Sequence, residues 1–354
     1  MSRPDPTERD LPAELGVVPA RPDLGGAAAT PSFEPIGGLP PTHVETSGPV
    51  RRGGPWPAPT RIGGRLFAWG SRTYVMGIVN VTPDSFSGDG LLAPGRDGGD
   101  GTPGGSTVEA GDERLVDAAV ALARRMAAEG ADLLDIGGES SRPGHAIVEA
   151  AEESRRIVPI VAAIHRALPD VPLSVDTTKP SVASAAIDAG AALINDVWGV
   201  APDVTLARLA AERGVPIVLM HNRAEARYTD LLGEVLAELA EAIERTRAAG
   251  VPEASIIVDP GFGFGKAPAH NLALLDGLDR LRSLGRPILL GASRKSTLGK
   301  VLDLPADERL EATLATTALA VRAGVDIVRV HDVRPNVRVA RFADAVVRGW
   351  DGPA

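Results

Sequence analysis

Four polar residues sit at the ends of short apolar runs. Asp176 closes LSVDT, Asn195 lies in LINDV, Asp259 ends SIIVDP, and Lys295 follows PILLGAS. Brought together, they suit one flat polar heterocycle. A carboxylate accepts two hydrogen bonds from an amino-pyrimidine edge much as it does from a guanidinium. Asn supplies both donor and acceptor, and Lys donates to a carbonyl. Arg142, Arg329 and His331 form a second set, with positive charge and N–H donors for an anion such as phosphate or pyrophosphate. Asn80 offers an oxygen suited to Mg²⁺, which takes few protein ligands and completes its shell with phosphate oxygens and water.

The elements that must position these residues are legible from the pattern. Apolar runs at residues 74–81, 131–138, 173–177, 193–197, 216–221, 255–260, 287–293 and 326–332 read as buried parallel strands. Helical patterns separate them. In one, Leu115, Ala119, Leu122 and Met126 share a face, and Gly130 supplies the stop. Eight such units predict an α/β fold, a single (β/α)₈ TIM barrel whose active site lies at the C-terminal ends of its strands. RLFAWGSRTYVMGIVNV predicts an N-terminal β-hairpin leading into the first barrel strand. The rim then reads, in chain order, Asn80; Asp135 and Glu139; Asp176; Asn195 and Asp196; His221; Asp259; Ser293 to Ser296; and Arg329, His331 and Asp332. Asp135 reads as structural or as a rim hydrogen bonder, and Gly261, Gly263 and Gly265 as a tight turn.

Composition bounds the rest. Residues 1–60 are rich in Pro, Gly and Ala without periodicity and read as a disordered tail, leaving 61–354 as the barrel domain. A second Gly-rich stretch, APGRDGGDGTPGGST, reads as a mobile loop. The net charge of −9 argues against a nucleic-acid partner. The absence of Cys excludes disulfides, thiolate metal sites and Cys nucleophiles. No apolar run reaches the roughly 18 residues of a membrane span, and no secretory pattern opens the chain, so a cytoplasmic protein is expected. There is no early G-x-G-x-x-G, and GFGFGK lacks the spacing of a phosphate-binding P-loop. His221 has no partner at metal-ligand spacing, which disfavours zinc.

GIVNVTPDSFSGDG, DIGGESSRPG, SVDTTKP, INDVWG, VLMH, VDPGFGFGK, GASRKS and RVHDV occur in this order on successive predicted strands. Together they resemble the motif series of dihydropteroate synthase, from Gly77 to Asp332. Members of that family join 6-hydroxymethyl-7,8-dihydropterin pyrophosphate to 4-aminobenzoate. The resemblance implies that Asp176, Asn195, Asp259 and Lys295 hold the pterin, with Met220 as a further contact. It implies that Arg329 lies over the pterin face, and that Arg142, Arg329, His331 and Asn80, the last through Mg²⁺, bind pyrophosphate. Loops 82–87 and 140–144, with Ser141, Arg142 and Pro143, would close over the site. Phe264 and Pro143 would wall the 4-aminobenzoate pocket, and Ser296, where a helix begins, would take its carboxylate.

The family mechanism is dissociative, with pyrophosphate leaving before the aromatic amine attacks, and the family is usually a homodimer through its outer helices. The chain departs from the family pattern at Ser141, where many members carry Thr, and in the Gly-rich insertion. A corrinoid-type pterin-binding methyltransferase domain and a non-catalytic pterin-binding relative are the alternatives. The first needs neither the anion-binding groups of the SRK and RVHD segments nor the SSRPG loop; loss of Arg142, Lys295 or His331 would favour the second, and all three are present.

Overall fold

The computed structural model describes residues 56–81, 107–139, 148–350 and 352, with the side chains of the first long helix described from Glu113 onward. Two short strands, β1 (Thr60–Ile62) and β2 (Arg65–Phe67), pair antiparallel as a hairpin across Gly63 and Gly64. The barrel strands follow: β3 (Tyr74–Asn80), β4 (Leu133–Gly137), β5 (Leu173–Asp176), β6 (Leu193–Asp196), β7 (Ile217–Met220), β8 (Ile256–Asp259), β9 (Leu289–Leu290) and β10 (Ile327–Val330). All neighbours are parallel, in the order β8-β7-β6-β5-β4-β3-β10-β9. A parallel bridge from Val258 to Ile288 joins β8 to the start of β9 and closes the ring. Each expected strand is present, shortened at its ends. The (β/α)₈ architecture read from the sequence is the one observed.

The helices are α1 (Thr107–Glu129), α2 (Ala150–Ala167), α3 (Pro180–Asp188), α4 (Thr205–Arg213), α5 (Leu231–Ala248), α6 (Pro268–Asp276), α7 (Ser296–Leu302), α8 (Leu310–Ala323) and α9 (Val333–Arg348). β9 is followed by two of them, the short α7 and then α8. Outward strand residues such as Val75, Ile136, Val175, Ile194 and Val328 pack with the inner helix faces in the larger core. Period-two alternation sends their neighbours into the barrel.

The barrel interior changes character along its axis. At its floor, Ile62 and Phe67 of the hairpin, with Trp69 and Tyr74, plug the end. Their rings pack in tilted and edge-on pairs, with Phe67 and Tyr74 centroids 4.8 Å apart. Above them lies an apolar layer of Met76, Leu133, Leu193, Val218, Ile257, Leu289 and Ile327. One pleat higher, the inward residues are Asp135, Asp176, Asn195, Asp259 and Arg329. Register aligns part of this level, with Asn80 paired to Gly137, Gly137 to Asp176, and Asp176 to Asn195.

Thr60, assigned to the tail by composition, is buried in β1, where it donates to Ala254 O at 2.5 Å and accepts from Trp69 Nε1 at 2.9 Å. Trp56 lies against the guanidinium groups of Arg282 and Arg348. The expected tail up to residue 55 and the Gly-rich stretch before α1 lie outside the described residues.

Asp132, at the floor side of β4, accepts from Val75 N at 2.9 Å and pairs with Arg72 through both oxygens, at 2.9 and 2.5 Å. Asp132→Ala leaves the buried Val75 N–H without its acceptor and removes the ion-pair partner of the half-exposed Arg72. We expect a loss of about 2–4 kcal/mol in urea unfolding, with the far-UV circular dichroism of the folded protein unchanged.

Candidate active site

Arg329 is the centre of the polar layer. Its Nε donates to Asp135 Oδ2 at 2.6 Å and its terminal nitrogen to Asp176 Oδ2 at 2.9 Å. Asn195 Nδ2 donates to the same Asp135 oxygen at 3.1 Å. One guanidinium thus bridges two carboxylates, Asp135 wholly buried and Asp176 nearly so. Burial pushes the Asp176 carboxyl up to about 7; Arg329 opposes this rise and the neighbouring Asp135 adds to it. Burial alone would lower Arg329, but Asp135 and Asp176 outweigh it and hold the guanidinium above its ordinary value.

Asp259 closes the opposite side of the pocket. It is buried, and its Oδ1 accepts from Gly261 N at 2.7 Å. Burial raises its carboxyl against the pull of Lys295 and the Gly261 N–H. Lys295 donates from Nζ to the Phe262 carbonyl, and its ammonium lies 4.1 Å from the centre of the Phe264 ring. Burial pushes Lys295 down to about 7, and Asp259 holds it from falling further. Asp176 and Lys295 therefore both titrate near neutrality, on facing sides of one pocket.

The β8–α6 loop carries Phe264. Gly261 has a φ of 69°, and a Cβ there would lie 1.8 Å from the carbonyl oxygen of His221. At Gly263, φ 83°, a Cβ would meet the Lys295 side chain at 2.7 Å. Only glycine permits these left-handed turns with such close approach. The tight-turn reading of GFGFG is correct, and the turn also leaves room for Lys295.

The lip of the barrel places the remaining residues. His331 Nδ1 lies 3.0 Å from Ser293 Oγ, and its backbone N–H donates to the same oxygen at 3.2 Å. Met220 is buried at the end of β7, paired in register with Asp259. Ser296 is exposed in the first position of α7, and Asn80 is half-buried at the end of β3. Ser141, Arg142 and Pro143, with the segment 82–87, lie outside the described residues.

Asp196 corrects the rim reading. Alternation turns it out of the barrel, where it caps Trp198 N at 2.9 Å and burial raises its carboxyl to about 6. His221 likewise serves the outer side of the rim, against Lys266 and Glu238. Asp135 is the rim hydrogen bonder expected from the sequence, and joins Asn195 to Arg329. Arg294 was named on the rim without a role. It adopts φ 57°, pairs with Asp332 at 2.7 and 3.0 Å, and sets the backbone direction into Lys295.

A sequence model of the pterin-binding enzyme family matches residues 103–331. A dihydropteroate synthase of Clostridium beijerinckii is 46% identical over 289 residues, covering 81% of this chain and 99% of the relative. The chain belongs to the dihydropteroate synthase family. A Bacillus subtilis dihydropteroate synthase is 46% identical over 276 residues, 78% of this chain and 89% of the relative. Among solved structures, the Clostridium difficile dihydropteroate synthase crystallised in the presence of pteroic acid aligns with a TM-score of 0.71 at 42% identity, covering 80% of this chain and 99% of that one. The Xanthomonas albilineans dihydropteroate synthase with 4-aminobenzoic acid aligns at 0.71 and 41%, covering 82% and 98%. Of the residues read from the sequence as site or rim, all but Asn80, the 82–87 loop and Asp332 fall within the span matched by the family.

The shared guanidinium makes a stability prediction. Asp176 keeps its proton up to about pH 7 in the folded protein and loses it near 3.8 when unfolded, so it lowers stability as pH rises through that window. Arg329→Met removes the opposing charge and extends the window upward. The variant should lose about 3–5 kcal/mol near pH 8 and measurably less near pH 5.5, read by urea unfolding at both values. A loss independent of pH would contradict the shared-cation geometry.

Proposed function

We propose that this chain acts as a dihydropteroate synthase through the polar layer centred on Arg329. The reaction joins 6-hydroxymethyl-7,8-dihydropterin pyrophosphate to 4-aminobenzoate, giving 7,8-dihydropteroate and pyrophosphate. The observation that carries the reading is the convergence of Asp176, Asn195, Asp259 and Lys295 on one barrel mouth, in a chain 46% identical to a dihydropteroate synthase. A solved Xanthomonas albilineans relative is in complex with 7,8-dihydropteroate.

In this proposal the pterin lies within the polar layer. Asp176 and Asp259 accept from pterin N–H groups, Asn195 satisfies a neighbouring donor and acceptor, Lys295 donates to the pterin carbonyl, and Met220 supplies an apolar contact. Arg329 turns from its two carboxylates toward the pterin face and the pyrophosphate, where Arg142 and His331 join it. The C–O bond to pyrophosphate breaks first, and the electron pair leaves with the pyrophosphate. Asp176 and Asp259 favour the positive charge left on the pterin, while Arg142, Arg329 and His331 stabilise the departing anion. The amine of 4-aminobenzoate then forms the C–N bond and releases its proton to water. Phe264 and Pro143 wall its ring, while Ser141 and Ser296 serve its polar end. No nucleophilic side chain is required.

Magnesium fits this site in one way. No group of three or more His, Asp or Glu side chains able to hold a metal occurs among the described residues. Asn80 is half-buried at the end of β3, in register with the polar layer, and its carboxamide makes no hydrogen bond among the described residues. One neutral oxygen suits an ion that arrives with the pyrophosphate and takes most of its oxygens from it. Bound there, Mg²⁺ would supply charge neutralisation for the leaving group.

A cytoplasmic location and a homodimer belong to the same proposal. No helix among the described residues is long and apolar enough to cross a membrane. Phe342 and Val346, one turn apart on α9, are 75% and 70% exposed, and Leu319 of α8 is 48% exposed. An apolar face of this kind on α8 and α9 fits a second copy. Phe342→Glu with Val346→Asp should shift the sedimentation coefficient from dimer to monomer.

Pyrophosphate release from the dihydropterin substrate with Mg²⁺, with mass detection of dihydropteroate, tests the activity. Product that requires both substrates is expected, and tight pterin binding without product would contradict it. Asp259→Asn should weaken pterin binding by at least about tenfold in calorimetry. We also propose 61–354 as the catalytic domain, extended by the contacts of Trp56 and Thr60. Deleting residues 1–55 should leave kcat/KM within about twofold.

A further inference from the structure

Behind the Phe264 loop lies a chain of groups that the proposed reaction does not use, buried at Lys266 and His221 and reaching partly exposed Glu238. Lys266, the last residue of GFGFGK, is 9% exposed. Its Nζ lies 2.9 Å from His221 Nδ1 and donates to the Phe264 carbonyl at 3.1 Å. His221, wholly buried, places Nε2 3.1 Å from Glu238 Oε2 on α5, without the alignment of a full hydrogen bond. Glu238 is in turn held by Arg223, whose Nε donates to it at 3.0 Å. Burial pushes His221 down to about 4, and Lys266 adds to that shift, so the imidazole is neutral at physiological pH. A lysine donating to Nδ1 requires the tautomer protonated on Nε2, and Glu238 is placed to accept that proton's interaction.

We propose that Lys266 is a positioning residue for the second substrate: held by His221 and Glu238, it fixes the Phe264 carbonyl and so sets the Phe264 ring against Lys295. Three features support the geometry. Gly261 rests on the His221 carbonyl, so the loop packs directly on the residue after β7. Tyr228 donates to the Gly265 carbonyl at 2.9 Å, and Gly263 N donates to Asn271 Oδ1 at 2.7 Å, tying the loop on either side of Phe264. The Phe264 carbonyl itself has Lys266 as its partner. The pterin end of the loop is secured separately, by Gly261 N on Asp259. Loss of Lys266 should therefore loosen the wall facing 4-aminobenzoate more than the pterin pocket.

The inference rests on the proposed synthase reading. Its test is steady-state turnover with each substrate varied in turn, beside calorimetry with a pterin alone. Wild-type protein run in parallel separates the two ideas, because absent wild-type turnover would fault the synthase reading itself. Lys266→Met should raise the KM for 4-aminobenzoate by about tenfold while the pterin Kd stays within about twofold. Glu238→Gln keeps the side-chain volume at a partly exposed position and should raise the same KM by about threefold, covering the case in which Lys266→Met fails to fold. His221→Leu should behave like Lys266→Met, and His221→Asn, which restores an acceptor, should recover most of the loss. An unchanged KM for 4-aminobenzoate in the folded variants, or equal weakening of both substrates, would overturn the proposal.

Discussion

One guanidinium shared between two buried carboxylates governs this site. Arg329 meets Asp135 and Asp176 directly above the apolar filling of the barrel. Below that level the interior is closed by Met76, Leu133, Val218 and Ile257 over the aromatic plug of the hairpin. Above it, every inward residue named in the site is polar except Met220. In the proposed reaction that pair of carboxylates faces the N–H donors of a pterin, and the same cation turns to the anion at the mouth. The closed floor keeps water from entering from below, and that exclusion sustains the pKa shifts of Asp176, Asp259 and Lys295, whose largest cause is burial.

The opposite wall is built by close approach of backbone. The β8–α6 loop presses Gly261 onto the His221 carbonyl and Gly263 onto the Lys295 side chain. Lys295 is thereby held over Phe264 and beside Asp259. Arg294, in a left-handed conformation clamped by Asp332, delivers the chain into Lys295 from the other side. The two walls are therefore rigid for different reasons, one by ion pairing across strands and the other by glycine turns. The His221, Lys266 and Glu238 chain extends that second rigidity outward to α5.

Much of this was legible in the sequence. Short apolar runs with polar ends marked the eight strands, and their order put Asp176, Asn195, Asp259 and Arg329 at the C-terminal rim. Motif order added the family, which the relatives confirm. What could not be read was pairing between distant residues. Asp135 and Arg329 stand 194 positions apart, and neither position alone signals the other. Asp196 was misjudged because adjacency to Asn195 in sequence puts it on the opposite face of the strand. Lys266 was hidden for a further reason: a buried lysine is rare enough that its neighbours, not its motif, reveal it. Thr60 and Trp56 were lost to composition, since local Pro and Gly content masked contacts with Ala254, Arg282 and Arg348.

The most direct test of the shared-cation account is the proton balance of pterin binding. Calorimetric titration with 6-hydroxymethylpterin, which carries no phosphate, in buffers of differing ionisation enthalpy reports protons released or taken up. Asp176 and Lys295 both titrate at about 7, in opposite senses once a pterin supplies N–H donors to one and a carbonyl to the other. Below that value Asp176 must give up its proton, so binding should release protons near pH 6. Above it Lys295 must regain one, so binding should take up protons near pH 8. A change of sign near neutrality, with the acidic release abolished in Asp176→Asn, is the predicted result. Binding without proton exchange across that range would contradict it.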